Sequence, residues 1–290
     1  MRRGKLLNPD PNRAKTLRLR GPASDRVRKG TILDRDSALP NRGRHRQLLW
    51  DPPPATVALD DESVHVWCAW LDRPSDEVAA LDGNLALDER ARAVGYHFSR
   101  DRSRFVVRRS LLRAILSSYT GMRPSKIRFD VGRNGKPALR GQRVDRGLDF
   151  TVSHSDGLAL YAVTRGRPLG VDVERIRPLR DLFDVADRFF STTERMDLAA
   201  VRDDRRVEAF FQCWTRKEAF LKAKGVGLTE PLAGFDVSLT PGEAARILSV
   251  HRVPFVASRW SLRQLRPAAG YVAALALEET GLPVSHWCWG

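Results

Sequence analysis

The residues best suited to chemistry are three carboxylates on two predicted elements. Gly170–Glu174 reads GVDVE and is predicted to be a strand, so that Asp172 and Glu174 share one face. Two like charges on one face repel each other unless a positive group lies between them. Glu218, further along the chain, would supply a third carboxylate. Because every donor is an oxygen, this set favours Mg²⁺ or Mn²⁺ over zinc.

The third carboxylate lies on a predicted helix. Apolar residues recur on one face of Phe211–Gly227, and Glu218 and Lys222 are four residues apart, so their side chains leave the same side. The helix is predicted to span about Arg205–Lys224 and to end at Gly225. Alone, this pattern is also typical of an amphipathic helix with one surface ion pair.

A bound Mg²⁺ usually keeps substrate phosphates among its ligands, so the acidic set implies a phosphorylated substrate. The candidate phosphate contacts are Lys136, in the exposed turn Asn134–Pro137, His154, in a Ser-His-Ser turn, and Lys217 and Lys222 on the helix. Each has a structural alternative, namely a solvated lysine or a turn histidine that bonds the local backbone.

Glu194 has two interpretations. Ser191-Thr-Thr-Glu194 matches a capping box, in which Ser191 caps a helix and Glu194 is its third residue. The other interpretation is a metal-shell carboxylate or a general base.

Composition indicates a globular chain with a basic beginning. The chain has 290 residues, of which 42% are hydrophobic, and no apolar run is long enough to cross a membrane. No apolar segment follows the basic N-terminus, so we expect no signal peptide and a cytoplasmic protein. Its cysteines are far apart in sequence, have no zinc spacing and are expected to be reduced thiols.

The net charge of +15 is unevenly distributed, because residues 1–50 hold 14 Lys/Arg and 4 Asp/Glu, which leaves +5 for the other 240 residues. The first 60 residues, rich in proline and ending in Pro52–Pro54, are predicted to be a disordered basic extension. A translation start placed too far upstream would produce the same pattern. Interleaved aromatic residues, which would support nucleic-acid binding, are absent there.

The rest of the chain is predicted to be two similar halves. Each contains a strand, helices, one long helix and further strands, and each long helix leads to a Phe-Asp pair, at Phe129 and Phe235. The predicted fold is an α+β pseudodimer with the active site in the seam between the halves. The predicted divisions are residues 1–60 (extension), 61–168 (first half), 169–280 (second half) and 281–290 (tail). The predicted elements are strands at Val64–Leu71, Ile127–Val131, Leu148–Ser153, Leu158–Thr164, Leu169–Glu174, Phe235–Leu239, Ala245–Val250, Ser258–Leu265 and Tyr271–Leu277, and helices at Pro74–Leu81, Asp88–Phe98, Arg102–Tyr119, Leu179–Phe190 and Thr192–Val201.

Four motifs together resemble the 4′-phosphopantetheinyl transferase superfamily, in its single-chain, surfactin-synthetase-activator (Sfp-like) type. They are FTVSHS at Phe150–Ser155, GVDVE at Gly170–Glu174, RFFS at Arg188–Ser191 with Glu194, and WTRKEAFLK at Trp214–Lys222. The resemblance covers about residues 62–280. A GxDxE motif alone is weak, but the combination at these distances is specific.

The resemblance implies that coenzyme A binds between the halves and that Asp172, Glu174 and Glu218 hold Mg²⁺. It implies that Lys222 stabilises the departing 3′,5′-ADP and that the acceptor is a serine of an apo acyl or peptidyl carrier protein. Implied coenzyme A contacts are Lys136, Pro137, Ser153, His154 and Lys217, with Arg109 towards the nucleotide. Arg90 and Arg92 are further basic candidates for coenzyme A contacts.

The implied reaction is phosphoryl transfer, in which the serine oxygen attacks the β-phosphate of coenzyme A. Glu218 is the first candidate for the base that takes the serine proton, and Glu194 is the second. The mildly basic body suits an acidic carrier protein, and a monomer is expected because both halves of the site lie in one chain.

Two other classes stay open at this stage. A Mg²⁺-dependent nuclease or phosphohydrolase could use the same three carboxylates. A basic nucleic-acid-binding protein would bind through residues 1–60 and would lose binding when they are removed.

Overall fold

A computed structural model describes residues 48–131, 135–141, 147–227, 230–251 and 253–290. Two predicted features lie outside these ranges, namely residues 1–47 of the extension and Asn134 of the predicted turn. Helices and strands are mixed along the described chain, which confirms the α+β class. No helix in these ranges combines the length and the apolar character needed to cross a membrane.

Both halves of the chain begin with a strand, continue through two short helices and one long helix, and end in strand hairpins. The elements of the first half are β1 (Val64–Trp70), α1 (Ser75–Asp82), α2 (Leu87–Val94), α3 (Ser99–Thr120), β2 (Phe129–Val131), β3 (Pro137–Leu139), β4 (Leu148–Ser155) and β5 (Leu158–Arg165). Those that follow are β6 (Leu169–Arg175), α4 (Leu182–Phe189), α5 (Thr192–Ala200), α6 (Asp203–Lys224), β7 (Phe235–Val237), β8 (Ile247–Val250), β9 (Ser261–Leu265), β10 (Tyr271–Leu277) and β11 (Val284–Cys288).

The strands form two larger sheets with matching order. The first sheet runs β11-β1-β5-β4, and the second runs β6-β10-β9. Pairing is antiparallel within β1-β5-β4 and within β6-β10-β9, whereas β11 lies parallel to β1. The pairs β2-β3 and β7-β8 are separate antiparallel hairpins. Corresponding strands of the two halves therefore occupy corresponding positions.

The long helices α3 and α6 are also alike. Each has 22 residues and ends before a glycine in the left-handed conformation, Gly121 with φ 68° and Gly225 with φ 65°. That conformation is a common helix end, because glycine lacks the Cβ that opposes it. Each helix is followed by a strand of sequence Phe-Asp-Val, β2 or β7.

Three main apolar clusters hold these layers together. One lies between α3 and the first sheet and contains Trp67 and Leu111. A second surrounds α6 and contains Phe220. The third joins the two sheets, with Val66 from β1 and Val171 from β6 among its members. Because both sheets share this cluster, the two halves have a common core.

Some predicted boundaries were wrong. Helix α2 ends at Val94, before Gly95, rather than at Phe98. Strand β4 extends through His154 to Ser155, so the connection to β5 is Asp156–Gly157 alone. Asp156 has a φ of 51°, which short polar side chains tolerate in tight turns.

Both ends of the described chain contact the fold. The predicted tail forms β11, which adds an edge strand to the first sheet. Leu48 makes a bridge with Ala268, and the Cys288 amide donates to the Asp51 carbonyl at 2.8 Å. Residues 48–60 belong to the extension that composition predicts to be disordered, but they contain apolar residues that pack against the core, Leu59 among them.

Candidate active site

Strand β6 and helix α6 carry the central residues of the candidate site. At Gly170 the helix is so close that a Cβ would overlap the Ala219 carbonyl oxygen and lie 3.0 Å from the Lys222 carbonyl carbon. Asp172 and Glu174 leave β6 on the same face as Gly170, because side chains alternate along a strand. Both carboxylates are buried, with 0% and 3% exposure. They therefore face the helix in a region of low solvent access.

The Asp172 carboxylate accepts hydrogen bonds from a hydroxyl and an ammonium. Ser153 Oγ on β4 donates to Asp172 Oδ1 at 2.7 Å, and Lys222 Nζ on α6 donates to the same oxygen at 2.8 Å. Lys222 Nζ also donates to the Val171 carbonyl at 3.2 Å. The Lys222 side chain remains 24% exposed, so its charge can face both Asp172 and solvent.

Glu174 has a parallel arrangement. Ser155 Oγ on β4 donates to Glu174 Oε2, and Arg177 Nη1 lies 3.8 Å from that oxygen. The Ser155 hydroxyl also accepts the Arg175 amide at 3.1 Å, while the Ser153 hydroxyl accepts the Val173 amide at 3.3 Å. Strands β4 and β6 belong to different sheets. The two serines therefore join the sheets at the seam, which is the line where β4 meets β6.

Glu218 lies on α6 one turn before Lys222 and leaves the same face of the helix. It is half-buried. Among the residues that the structure describes, no three His, Cys, Asp or Glu side chains are arranged so that they could hold a metal ion together. The three-carboxylate site therefore stays a prediction in this conformation, in which Asp172 contacts Lys222.

The donor set nevertheless fits a hard divalent cation in its chemistry. Asp172 and Glu174 are buried carboxylates on one strand face, and Glu218 lies on the helix that packs against that face. Three carboxylates with hydroxyl groups nearby form an all-oxygen set of the kind that Mg²⁺ and Mn²⁺ prefer.

Lys136 and Pro137 lie beside the seam but are less exposed than predicted. Pro137 begins β3, and the half-buried Lys136 donates from Nζ to the Leu169 carbonyl at 3.0 Å. Burial lowers the pKa of Lys136, and the nearby Asp149 carboxylate opposes that shift. An ammonium carries three protons, so the hydrogen bond to Leu169 does not use the whole donor capacity of Lys136.

His154 lies within strand β4 rather than in a turn. Strand alternation places it on the opposite face from Ser153 and Ser155. It pairs with Ala159 across the β4–β5 hairpin and is half-buried. Ser153 differs from it, because its side chain is fully buried and engaged with Asp172. We therefore reassign Ser153 from a ligand contact to a residue that positions Asp172.

Glu194 and Lys217 form an internal ion pair. Both side chains are fully buried, with Lys217 Nζ 2.7 Å from Glu194 Oε1. Lys217 Nζ also donates to the carbonyls of Leu232 and Phe235, at 2.7 and 2.6 Å. Glu194 completes the predicted capping box with Ser191. Because this pair has no exposed surface, we correct both assignments and interpret Glu194 and Lys217 as structural.

The first half contains a matching buried pair. Glu89 caps α2 as its third residue, and its carboxylate accepts hydrogen bonds from Arg109 and Arg113 on α3. Arg113 also donates to the carbonyls of Pro124 and Ile127, at 2.8 and 2.9 Å. Burial would raise the pKa of Glu89, but the two guanidinium groups outweigh it and lower that pKa. In each half, therefore, a buried glutamate that caps the second short helix forms an ion pair with a buried cation on the long helix.

The three arginines that are predicted to contact coenzyme A lie on α2 and α3, the two helices that carry Glu89 and Arg113. Arg109 donates to Glu89 at 2.7 Å and lies over the Phe129 ring at 4.8 Å. Arg90 donates a hydrogen bond to the Asp82 backbone carbonyl at 3.1 Å and forms an ion pair with the Asp82 carboxylate. Arg92 is exposed, with its guanidinium 5.3 Å from the centre of the Phe105 ring. The structure therefore places Arg90 and Arg92 on α2 and Arg109 on α3.

Two residues were missed in the sequence. Ser155 donates a hydrogen bond to Glu174, as Ser153 does to Asp172. The two serines are two residues apart, as are the two carboxylates, and this shared spacing could have indicated the second contact. Arg113 lies four residues after Arg109 on α3, so the two could have been predicted to share a partner.

Two models of protein families match the chain. Residues 168–276 match the model of the 4′-phosphopantetheinyl transferase superfamily, and residues 69–165 match that of the 4′-phosphopantetheinyl transferase N-terminal region. The chain is 38% identical over 241 residues to 4′-phosphopantetheinyl transferase HetI of Nostoc sp. (strain PCC 7120), covering 83% of this chain and 98% of that protein. It is 30% identical over 176 residues to 4′-phosphopantetheinyl transferase Sfp of Bacillus subtilis (strain 168), covering 60% of this chain and 76% of that protein.

A weaker likeness links the chain to a solved structure. The crystal structure of Thermotoga maritima holo-[acyl-carrier-protein] synthase (AcpS) has a TM-score of 0.31 and 20% sequence identity, over 39% of this chain and 64% of that chain. The family assignment rests on the sequence relatives instead, because HetI is matched over almost its whole length.

Proposed function

The chain belongs to the 4′-phosphopantetheinyl transferase superfamily, and from that premise we propose that it transfers the 4′-phosphopantetheine group of coenzyme A to a serine of an apo acyl or peptidyl carrier protein. The second product is 3′,5′-ADP. One observation carries the proposal beyond family membership. Ser153, Asp172 and Lys222, from three separate motifs, meet in one polar cluster at the seam.

We propose further that residues 61–168 and 169–280 form a pseudodimer whose active site lies in the seam. The support is the shared element order, the matching strand orders β1-β5-β4 and β6-β10-β9, and the equal lengths of α3 and α6. The serine bridges from β4 to β6 are the polar contacts that join the halves beside the candidate residues.

The proposed ligands of Mg²⁺ are Asp172, Glu174 and Glu218, and Mn²⁺ would suit the same oxygens. When bound, the ion would neutralise charge on the pyrophosphate of coenzyme A. Ser153 and Ser155 hold the two strand carboxylates by hydrogen bonds from β4, which limits their rotation. This preorganisation reduces the cost of arranging the carboxylates during the reaction.

Lys222 and Glu218 have complementary proposed roles. Lys222 is a cation at the seam with partial exposure, so it can stabilise the negative charge of the departing 3′,5′-ADP. Glu218, one turn away on the same helix face, is proposed to take the proton of the attacking serine. Glu194 is no longer a candidate base, because its carboxylate is buried with Lys217.

The proposed coenzyme A contacts are Lys136, Pro137 and His154 beside the seam, with Arg109 at the nucleotide end and Arg90 and Arg92 as further basic contacts. Lys136 supports this, since its ammonium lies next to Leu169, the first residue of β6. The carrier protein is proposed to approach by electrostatic steering, because residues 51–290 carry a net charge of +5. The proposed state is a monomer, and an obligate dimer in analytical ultracentrifugation would contradict it.

The experiment measures the intact mass of an apo carrier protein after incubation with this protein, coenzyme A and Mg²⁺. We expect the carrier to gain one phosphopantetheine. Glu218→Gln should slow the transfer by about 10²- to 10⁴-fold, as expected for loss of a positioned general base or metal ligand. Chelation by EDTA should abolish the transfer, and added Mg²⁺ should restore it.

The matched control is Asp204→Asn, because Asp204 is exposed on the same helix and pairs with Arg202. It should retain wild-type transfer. Absence of both carrier modification and coenzyme A binding, with several carriers, would contradict the proposed function. Full transfer by Glu218→Gln, or in EDTA, would contradict the assigned residue or the metal while leaving the transferase activity in place.

A further inference from the structure

Two cysteines that are 220 positions apart in sequence lie in contact. Cys68 is on β1 and Cys288 is on β11, and the two are paired directly in the parallel register of these strands. Their Sγ atoms are 3.3 Å apart. Cys68, Cys213 and Cys288 are free and buried in the structure, and the wide spacing of the cysteines in the sequence concealed this pair.

The hydrogen bonds around the pair orient both thiols. Cys288 Sγ donates to the Trp50 carbonyl at 2.8 Å. A thiol has one proton, so the hydrogen bond between the two sulfurs must be donated by Cys68. Each sulfur therefore faces the other without an intervening group.

The backbone geometry also suits a covalent link. Neighbouring strands lie about 4.7–4.9 Å apart, and Cα separations of about 4.4–6.8 Å accept a disulfide. Residues paired in register point to the same side of a sheet. The register of Cys68 with Cys288 and the ordinary spacing of paired strands are therefore compatible with a bond between the two sulfurs.

We propose that Cys68 and Cys288 are the site of an intramolecular disulfide, formed by exchange with a low-molecular-weight disulfide. The Cys288 thiolate attacks one sulfur of the small disulfide, which releases one small thiol and leaves a mixed disulfide on Cys288. The Cys68 thiolate then attacks the Cys288 sulfur and releases the second small thiol. Each protein thiol loses one proton, and each released small thiolate takes one, so the exchange balances.

The order of attack follows from access. Cys288 lies on β11, which is an edge strand of the first sheet, and edge strands open more readily than central ones. Cys68 is on the inner neighbour strand and is fully buried. Burial also raises the pKa of the Cys68 thiol, which makes it the slower nucleophile and the resolving one.

The cross-link would tie β11 to the first sheet. β11 follows the second half in sequence, yet it pairs with β1 of the first half. A disulfide here closes a very long loop, and long loops give the largest loss of unfolded-state entropy. It would therefore keep both halves together even when the core between them loosens.

The test oxidises the full-length protein with oxidised glutathione under native conditions. We expect the free thiol count to fall from three to one, a monomeric mass lower by two hydrogen atoms, and a peptide that links Cys68 to Cys288. The Tm should rise by roughly 5–10 °C, and dithiothreitol should reverse the rise.

The matched variants separate this site from general oxidation. Cys288→Ser should abolish the cross-link and the Tm rise, whereas Cys213→Ser should leave both intact, because Cys213 is buried in α6. A stable glutathione adduct without closure, a cross-link through Cys213, or three unreacted thiols after refolding in the same buffer would each overturn the proposal. A cross-link without any change in Tm would overturn the stabilising consequence.

Discussion

At the scale of single residues, the motif WTRKEAFLK at Trp214–Lys222 contains two lysines with different roles. Lys222 reaches the seam and bonds Asp172, while Lys217, five residues earlier, points into the interior and bonds Glu194. The corresponding pair in the first half, Glu89 with Arg113, lies on equivalent elements. The first half contains such a buried pair although no carboxylate cluster was predicted there. Both pairs are therefore best explained by a role in folding rather than in catalysis.

We predict that Lys217→Met lowers the free energy of unfolding by about 3–5 kcal/mol, because it leaves the Glu194 carboxylate buried without its partner. The measurement is urea-induced unfolding. Adding Glu194→Gln should recover part of the loss, since the uncompensated charge is then removed. Lys224→Met is the control, with an expected cost below about 1 kcal/mol, because Lys224 pairs with Glu230 near solvent.

The outcome that would contradict this interpretation is specific. If Lys217→Met unfolded like wild type but lost transfer activity, Lys217 would have to contact the reacting groups in a conformation different from the described one.

At the scale of elements, the close contact between β6 and α6 positions the candidate site. It depends on the absence of a side chain at Gly170, whose Cβ would meet helix backbone rather than a flexible side chain. The helix carries Glu218 and Lys222, and the strand carries Asp172 and Glu174. Any change in this contact should therefore alter both stability and the geometry of the site.

We predict that Gly170→Ala destabilises the protein by at least about 2 kcal/mol, in the range typical of overpacked cores, and lowers kcat because α6 must shift. Gly83→Ala is the control: Gly83 has a φ of −57°, and its nearest Cβ contact would be 3.8 Å away. It should be neutral or slightly stabilising. Thermal unfolding and the carrier modification assay measure the two effects, and wild-type values for Gly170→Ala would refute the role of this contact.

At the scale of the whole molecule, the ends of the described chain cross between the halves. The Leu49 backbone amide donates to the Pro267 carbonyl at 3.0 Å, and the Trp289 backbone amide donates to the Cys68 carbonyl at 2.8 Å. Leu48 and Trp50 pack against the cluster that joins the two sheets. The folded unit therefore includes residues that composition had assigned to the basic extension.

We predict that removing residues 1–47 leaves the Tm and the transfer rate unchanged, because their basic, proline-rich composition predicts a segment that buries little apolar surface. Removing residues 1–60 should lower the Tm by several degrees, since it deletes Leu48, Trp50 and the buried Leu59. Differential scanning calorimetry and the carrier assay would measure both truncations. Equal stability of the two would show that residues 48–60 contribute no packing energy.

The sequence by itself determined the properties that depend on local spacing. Alternation placed Asp172 and Glu174 on one face, helical periodicity placed Glu218 beside Lys222, the capping box at Ser191 was confirmed, and the four motifs identified the family. These features are readable because they involve residues within a few positions of each other, where strand and helix geometry set the side-chain directions.

Only the tertiary structure decided which charged groups meet. Lys222 and Asp172 are 50 positions apart, and Glu89 and Arg113 are 24 apart, so their pairing depends on how helices pack against strands and against each other. The same packing turned Lys217 and Glu194 inward, engaged Ser153 with Asp172, and brought Cys68 to Cys288. Periodicity gives the direction of a side chain relative to its own element, but burial and partners follow from the arrangement of all the elements.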